Sequence, residues 1–201
     1  MNCIFMKFSN SIQDFLFTQQ EALSKMQGDP KIILDICDIL IKARNQNKKI
    51  FTMGNGGSAS TASHFVSDLL KTALTKNSKK FNAISLVDNL PVFSAWANDV
   101  SYDDVFVEQL KNYYVKGDII IGISGSGNSK NVIKALEYGK QNSAFCIGLT
   151  GLAGGKMKKC TDLCLRVPTN DMLAIESLHV TICHSIIASI RSLGTPVFQY
   201  I

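Results

Sequence analysis

Two short segments combine small residues with hydrogen-bonding groups in a way that suits a bound anion. Ser124, Gly125, Ser126, Gly127, Asn128 and Ser129 follow the run GDIIIGI and precede a helical repeat. Three hydroxyls and several free backbone N–H groups then converge on one helix N-terminus, where the peptide dipoles favour negative charge. The segment lacks the GxxxxGK[ST] pattern of a nucleotide triphosphate loop, so a phosphomonoester fits better. A serine-rich helix cap is the plainer reading of the same residues. Gly54, Asn55, Gly56, Gly57 and Ser58 form the second segment, again between a strand-like run and a helix. Glycines there let the backbone approach a ligand, and a tight strand–helix turn uses them equally well. No GxGxxG is present in it, which argues against a dinucleotide.

The ionisable groups suggest a second kind of chemistry. All three histidines fall in segments with helical periodicity. His64 and Asp68 are four apart, on one helix face. Glu176 and His184 differ by about 80° around their helix and about 12 Å along it, so they meet one central ion only at full stretch. His179 competes for that place, one turn from Glu176 on a neighbouring face. Two imidazoles and two carboxylates make a suitable donor set for zinc. A helical histidine among apolar neighbours serves equally as a core or interface residue. Asn98 and Asp99 follow the run FSAWA and read either as a turn or cap or as ligand contacts. Trp96 reads as packing.

These residues need elements to hold them. Residues 11–25 and 30–45 repeat apolar side chains at three and four, with Ser9, Asn10 and Ser11 as caps for the first helix and Pro30 opening the second. Strand-like runs follow at 50–53, 81–87, 118–123, 143–151 and 162–168. Helical spacing occupies 58–74, 90–97, 105–113, 131–141, 154–159 and 171–193. Strands alternating with helices predict a parallel sheet with helices on both faces. Such sheets place ligands beyond the C-terminal ends of their strands, which is where both small-residue loops fall.

Composition bounds the rest. A chain of 201 residues with 46% apolar and 18% charged residues suits one domain with a real core, and excludes a disordered tail or coiled coil. We expect a single domain over 1–201, with a helical extension over 1–48 and a core over 49–193. No apolar run reaches the length of a membrane span. The first fifteen residues lack the pattern of a signal peptide. Of the six cysteines, those at 37, 146, 164 and 183 sit in apolar runs and none forms a CxxC pair. That usage fits reduced thiols in the cytoplasm. The net charge of +5 reads as a solvated face or an anionic small substrate, with neither nucleic acid nor membrane as a partner.

Taken together, GNGGSASTASHFVSDL, AWANDVSYDDVF, GDIIIGISGSGNSKNVIKAL and ESLHVTICHSII resemble the sugar isomerase (SIS) domain, and more closely the phosphoheptose isomerases. The resemblance spans residues 10–192. It implies a flavodoxin-like αβα sandwich with an N-terminal helical extension, assembled as a homotetramer. It implies interconversion of sedoheptulose 7-phosphate and D-glycero-D-manno-heptose 7-phosphate, feeding heptose into a bacterial surface polysaccharide. Substrate contacts are implied for Asn55, Gly56, Gly57, Ser58, Asn98 and Asp99, and a phosphate cradle for Ser124, Gly125, Ser126 and Ser129. One zinc is implied on His64, Asp68, Glu176 and His184, with Asp68 as base and His184 as acid; Asp68 and Glu176 also face the substrate. Asp68 stands where the family usually has Glu, and Glu176 where it usually has Gln. Two other readings share the scaffold: a hexose or pentose phosphate isomerase, and a non-catalytic module that binds a sugar phosphate or a replication initiator.

Overall fold

Five apolar runs become strands: β1 (Lys49–Gly54), β2 (Asn82–Ser85), β3 (Ile119–Ile123), β4 (Phe145–Thr150) and β5 (Leu163–Arg166). They form a parallel sheet in the order β2-β1-β3-β4-β5. The computed structural model describes residues 2–198, with side chains from residue 6 onward. From β1 the chain steps outward to β2, then crosses back to lay β3 on the other side of β1. The reversal opens a crevice at the C-terminal ends of β1 and β3, the position where open α/β sheets take their ligands. Gly54 pairs with Ile123 there, so the two small-residue loops leave the sheet side by side.

Alternation along the strands sorts the core into two layers. Ile50, Ile119, Ile121, Ile123, Ile147 and Leu149 face one layer. Phe51, Met53, Ile120 and Cys146 face the other. The first layer is closed by α2 (Lys31–Asn45), α3 (Gly57–Ser67) and α8 (Met172–Arg191), and α1 (Asn2–Gly28) packs on α8. The second is closed by α4 (Leu90–Asp99), α5 (Val107–Tyr113), α6 (Lys130–Gln141) and α7 (Met157–Cys160). Each large apolar side chain fully buried here contributes about 1.5–3 kcal/mol. This is the flavodoxin-like three-layer sandwich expected from the sequence.

Three local departures have physical causes. α1 starts at Asn2 and runs through the residues expected to cap it. The Ser11 hydroxyl donates to the Lys7 carbonyl 3.0 Å away, bonding back onto the helix where a cap would bond forward. The helix expected over 58–74 ends as an α-helix at Ser67 and continues as a π turn over Asp68–Thr72. There Ala73 N–H donates to the Asp68 carbonyl at 2.8 Å, and the wider turn leaves Leu70 exposed. Finally, α8 has a mean hydropathy of 1.5 over a span-length window, yet Leu178, Ile182, Ile186 and Ile190 are buried in the first core layer. Toward its start α1 leaves Phe8, Ile12, Leu16 and Phe17 exposed.

The five cysteines with described side chains are free thiols; Cys3 lies outside the residues whose side chains are described. Burial pushes the Cys146 thiol up to about 12 and raises Cys37, Cys160 and Cys183 as well. Such thiols are poor nucleophiles and poor metal ligands.

Candidate active site

The serine loop springs from the end of β3. Ser124 is buried, and its Oγ lies 2.9 Å from Ser129 Oγ and 3.4 Å from Ser126 Oγ. Ser129 is the N-cap of α6, yet its side chain makes no capping bond, which leaves its hydroxyl turned to the loop. Gly127 has a φ of 66°, and a Cβ there would run into the Gly154 carbonyl. The loop is therefore seated against residues 154–155, and the Met157 N–H donates to the Gly127 carbonyl at 3.0 Å. Three hydroxyls grouped at the N-terminus of α6 form a cradle suited to a phosphate.

Beside it, the loop after β1 turns directly into α3. Ser58 is buried, with its N–H donating to the Asn55 carbonyl at 3.0 Å. Gly57 is open to a neighbour from α8: a Cβ there would strike the Glu176 carboxylate. Glu176 thus rests on the start of α3, where a helix N-terminus favours negative charge. Asn98 and Asp99 close α4 in the open, with Asn98 Nδ2 donating to Asp99 Oδ1 at 2.7 Å. Trp96 is half-buried and packs against the second core layer.

One turn into α3 the chain faces α8, and three donors meet. His64 Nε2 and His184 Nε2 lie 3.3 Å apart, and Asp68 Oδ2 is 3.5 Å from each. Asp68 is buried and its other oxygen, Oδ1, accepts from Thr72 Oγ1 at 2.8 Å. Thr72 is four residues on from Asp68, a helical spacing that sets the two side chains on one face. A tetrahedral ion with ligands at about 2.0–2.1 Å needs donors about 3.3–3.4 Å apart, close to this triangle. Imidazole nitrogens and a carboxylate oxygen are also the right donor types. The residues present therefore fit a zinc-like ion. Glu176 and His179 are outside the triangle. Glu176 is about two turns of α8 from His184, lining with His64 and Ser60 a cleft of about 280 Å³. His179 is fully buried beside the Thr150 backbone, with no hydrogen bond to either ring nitrogen, and burial pushes its pKa down to about 4. It is a neutral core residue. A larger cleft of about 680 Å³ is lined by His64, Asp68, Thr72, His184 and Arg191. The serine loop lines neither cleft.

Three residues in this region were not singled out from the sequence: Thr72, Tyr102 and Asn131. Thr72 is four residues beyond Asp68, and that helical spacing is the signal that could have found it. Asn131 and Tyr102 meet Asn55 through contacts distant in sequence.

A parallel sheet with a serine-rich loop at its switch point defines the class of open α/β proteins that take ligands beyond their strand ends, and the family model described as the SIS domain matches residues 14–151. A phosphoheptose isomerase of Helicobacter pylori is 40% identical over 177 residues, covering 87% of this chain and 91% of the relative. A probable phosphoheptose isomerase of Thermoplasma acidophilum is 36% identical over 174 residues, covering 87% and 95%. Among solved structures, the phosphoheptose isomerase of Neisseria gonorrhoeae superposes with a TM-score of 0.83 at 27% identity, covering 94% of this chain and 99% of that one. This chain belongs to the SIS domain family and, within it, to the phosphoheptose isomerases.

Proposed function

We propose that the chain is an aldose–ketose isomerase that interconverts sedoheptulose 7-phosphate and D-glycero-D-manno-heptose 7-phosphate. The observation that carries this reading is the triangle of His64, Asp68 and His184, built on a domain that also holds a three-hydroxyl anion cradle. A proton-transfer reaction on a phosphorylated sugar needs both parts.

Each residue then has a task. Ser124, Ser126 and Ser129, with the N–H groups around Gly125, hold the phosphate, and this remote binding energy orients the reacting carbons. Asn55, Gly56, Gly57 and Ser58, with Asn98 and Asp99, contact the sugar. The Asp68 carboxylate takes the proton from C1 of the ketose and returns it to C2. With its Nε2 free of metal, His184 protonates the oxygen on C2 and, with the solvent, relieves the oxygen on C1 of its proton, so the charges balance. Thr72 holds Asp68 in the orientation this transfer requires. A zinc ion would be held by His64, Asp68 and His184. When bound, it supplies Lewis acidity at the carbonyl group.

The finer points rest on separate support. The exposed apolar face of α1 supports assembly into a homotetramer, and the separation of the serine loop from both clefts supports a site completed by a second copy. The free, buried thiols support a cytoplasmic setting. Supply of heptose for a surface polysaccharide is the role that the family reading assigns to the product.

The test is direct. The purified protein is assayed for bound metal and for aldose formation from sedoheptulose 7-phosphate, with zinc supplied. Formation of the aldose, lost in His184→Ala while phosphate binding persists, is the expected result. Sugar-phosphate binding without any turnover would replace this reading with that of a non-catalytic module.

A further inference from the structure

Asn131 is 2% exposed, lies in the first turn of α6, and has a polar side chain that faces across the crevice to the loop after β1. Its Oδ1 accepts from the Val132 N–H at 2.9 Å. A backbone N–H can only donate, so this bond fixes which end of the Asn131 amide is the oxygen. The rest of the polarity follows. Asn55 Nδ2 donates to Asn131 Oδ1 at 2.9 Å, and Asn131 Nδ2 donates back to Asn55 Oδ1 at 3.0 Å. Tyr102 Oη, 2.9 Å from Asn55 Oδ1, must then be the donor to it. The Asn55 oxygen is occupied twice, and its amide group has one N–H left.

Tyr102 is itself held. Its ring stands edge-on to Phe93 with centroids 5.8 Å apart, and Phe93 packs on the fully buried Phe106. Its short helical turn, Tyr102–Asp104, is tied to α6 by an ion pair between Asp104 and Lys134. Three segments separate in sequence, 54–58, 98–104 and 124–131, are thus joined through the amide of Asn55.

We propose that Asn131 and Tyr102 are positioning residues that act through Asn55, locking its amide so that the remaining N–H donor is presented to the sugar in one orientation. This rests on the isomerase reading for its kinetic consequence, though the hydrogen-bond lock itself does not. The neutral bond from Tyr102 is worth about a fivefold change in an equilibrium, so Tyr102→Phe should lower kcat/KM about fivefold.

A double-mutant cycle tests it. Tyr102→Phe is measured in the wild-type and Asn55→Ala backgrounds with sedoheptulose 7-phosphate. The expected result is loss in the first background and none in the second, because the phenol has nothing left to hold. The same loss in both backgrounds, or none in the first, overturns the proposal. The lock is also read without substrate or turnover. By ¹⁵N NMR, the paired Asn55 side-chain proton should exchange with solvent at least about tenfold faster in Asn131→Ala than in the wild type. Unchanged exchange would overturn the proposal even in an active enzyme, whereas an inactive wild type with the expected exchange would count against the isomerase reading alone.

Discussion

Replacing Thr72 with valine removes one hydroxyl and keeps the shape of the side chain. That hydroxyl donates to Asp68 Oδ1 at 2.8 Å. The Asp68 side chain is only 13% exposed, so water replaces the lost donor poorly. Hydrogen bonds to charged groups are worth about 1.5–3 kcal/mol, and each 1.36 kcal/mol is a factor of ten in rate. If Thr72 holds the carboxylate toward the two imidazoles, Thr72→Val should lower kcat about 10–100-fold and leave KM for the sugar phosphate nearly unchanged. Zinc affinity, measured by competition with a chromogenic chelator, should fall by a similar factor. The Arg191 Nη1 bond to the Thr72 carbonyl, at 2.7 Å, is to the backbone and survives the change. Thr72→Ser keeps the hydroxyl and should restore most of the rate. A Thr72→Val enzyme with wild-type kcat and wild-type zinc affinity would refute the argument, because the carboxylate would then be positioned without its partner.

Other perturbations test other parts of the molecule. Ser126→Ala combined with Ser129→Ala should raise KM at least about 100-fold, since two hydrogen bonds to a charged phosphate are lost; an unchanged KM would show that the phosphate lies elsewhere. Gly57→Ala would push aside the Glu176 carboxylate, the movable end of a half-buried side chain, so urea unfolding should change by less than about 1 kcal/mol; a loss of several kcal/mol would show that the carboxylate is fixed in place. His179 has its pKa pushed down to about 4 by burial. Between about pH 6.5, where the unfolded residue titrates, and about 4, the unfolded chain binds the extra proton and the folded one does not. Stability conferred by this residue is therefore complete above about pH 6.5 and falls by about 3 kcal/mol as the pH drops to 4. His179→Leu should flatten that slope in denaturant titrations, and an unaltered slope would mean that other groups produce it.

Much of the architecture was legible in the residue pattern because helices and parallel strands impose short periods on the chain. The serine loop was legible for the same reason. Its residues are contiguous, so their convergence at the start of α6 needs only a strand before and a helix after. The donor triangle was partly legible: His64 and Asp68 share a helix face, but nothing local shows that His184 comes within 3.3 Å of His64. Glu176 illustrates the limit. Its charge and its place on α8 suggested a fourth ligand, whereas the packing of α8 against α3 sets its carboxylate over Gly57.

By itself the sequence determined the strands, the two small-residue loops, the buried thiols and the helix faces. Each follows from neighbours within a turn or a few residues, whose geometry the backbone alone dictates. Only the tertiary structure decided which groups meet. The approach of His184 to His64 and Asp68, the amide lock between Asn55, Asn131 and Tyr102, and the burial of His179 beside β4 all depend on how packed elements register against one another. That register is set by close-packing across the core, and no local spacing encodes it.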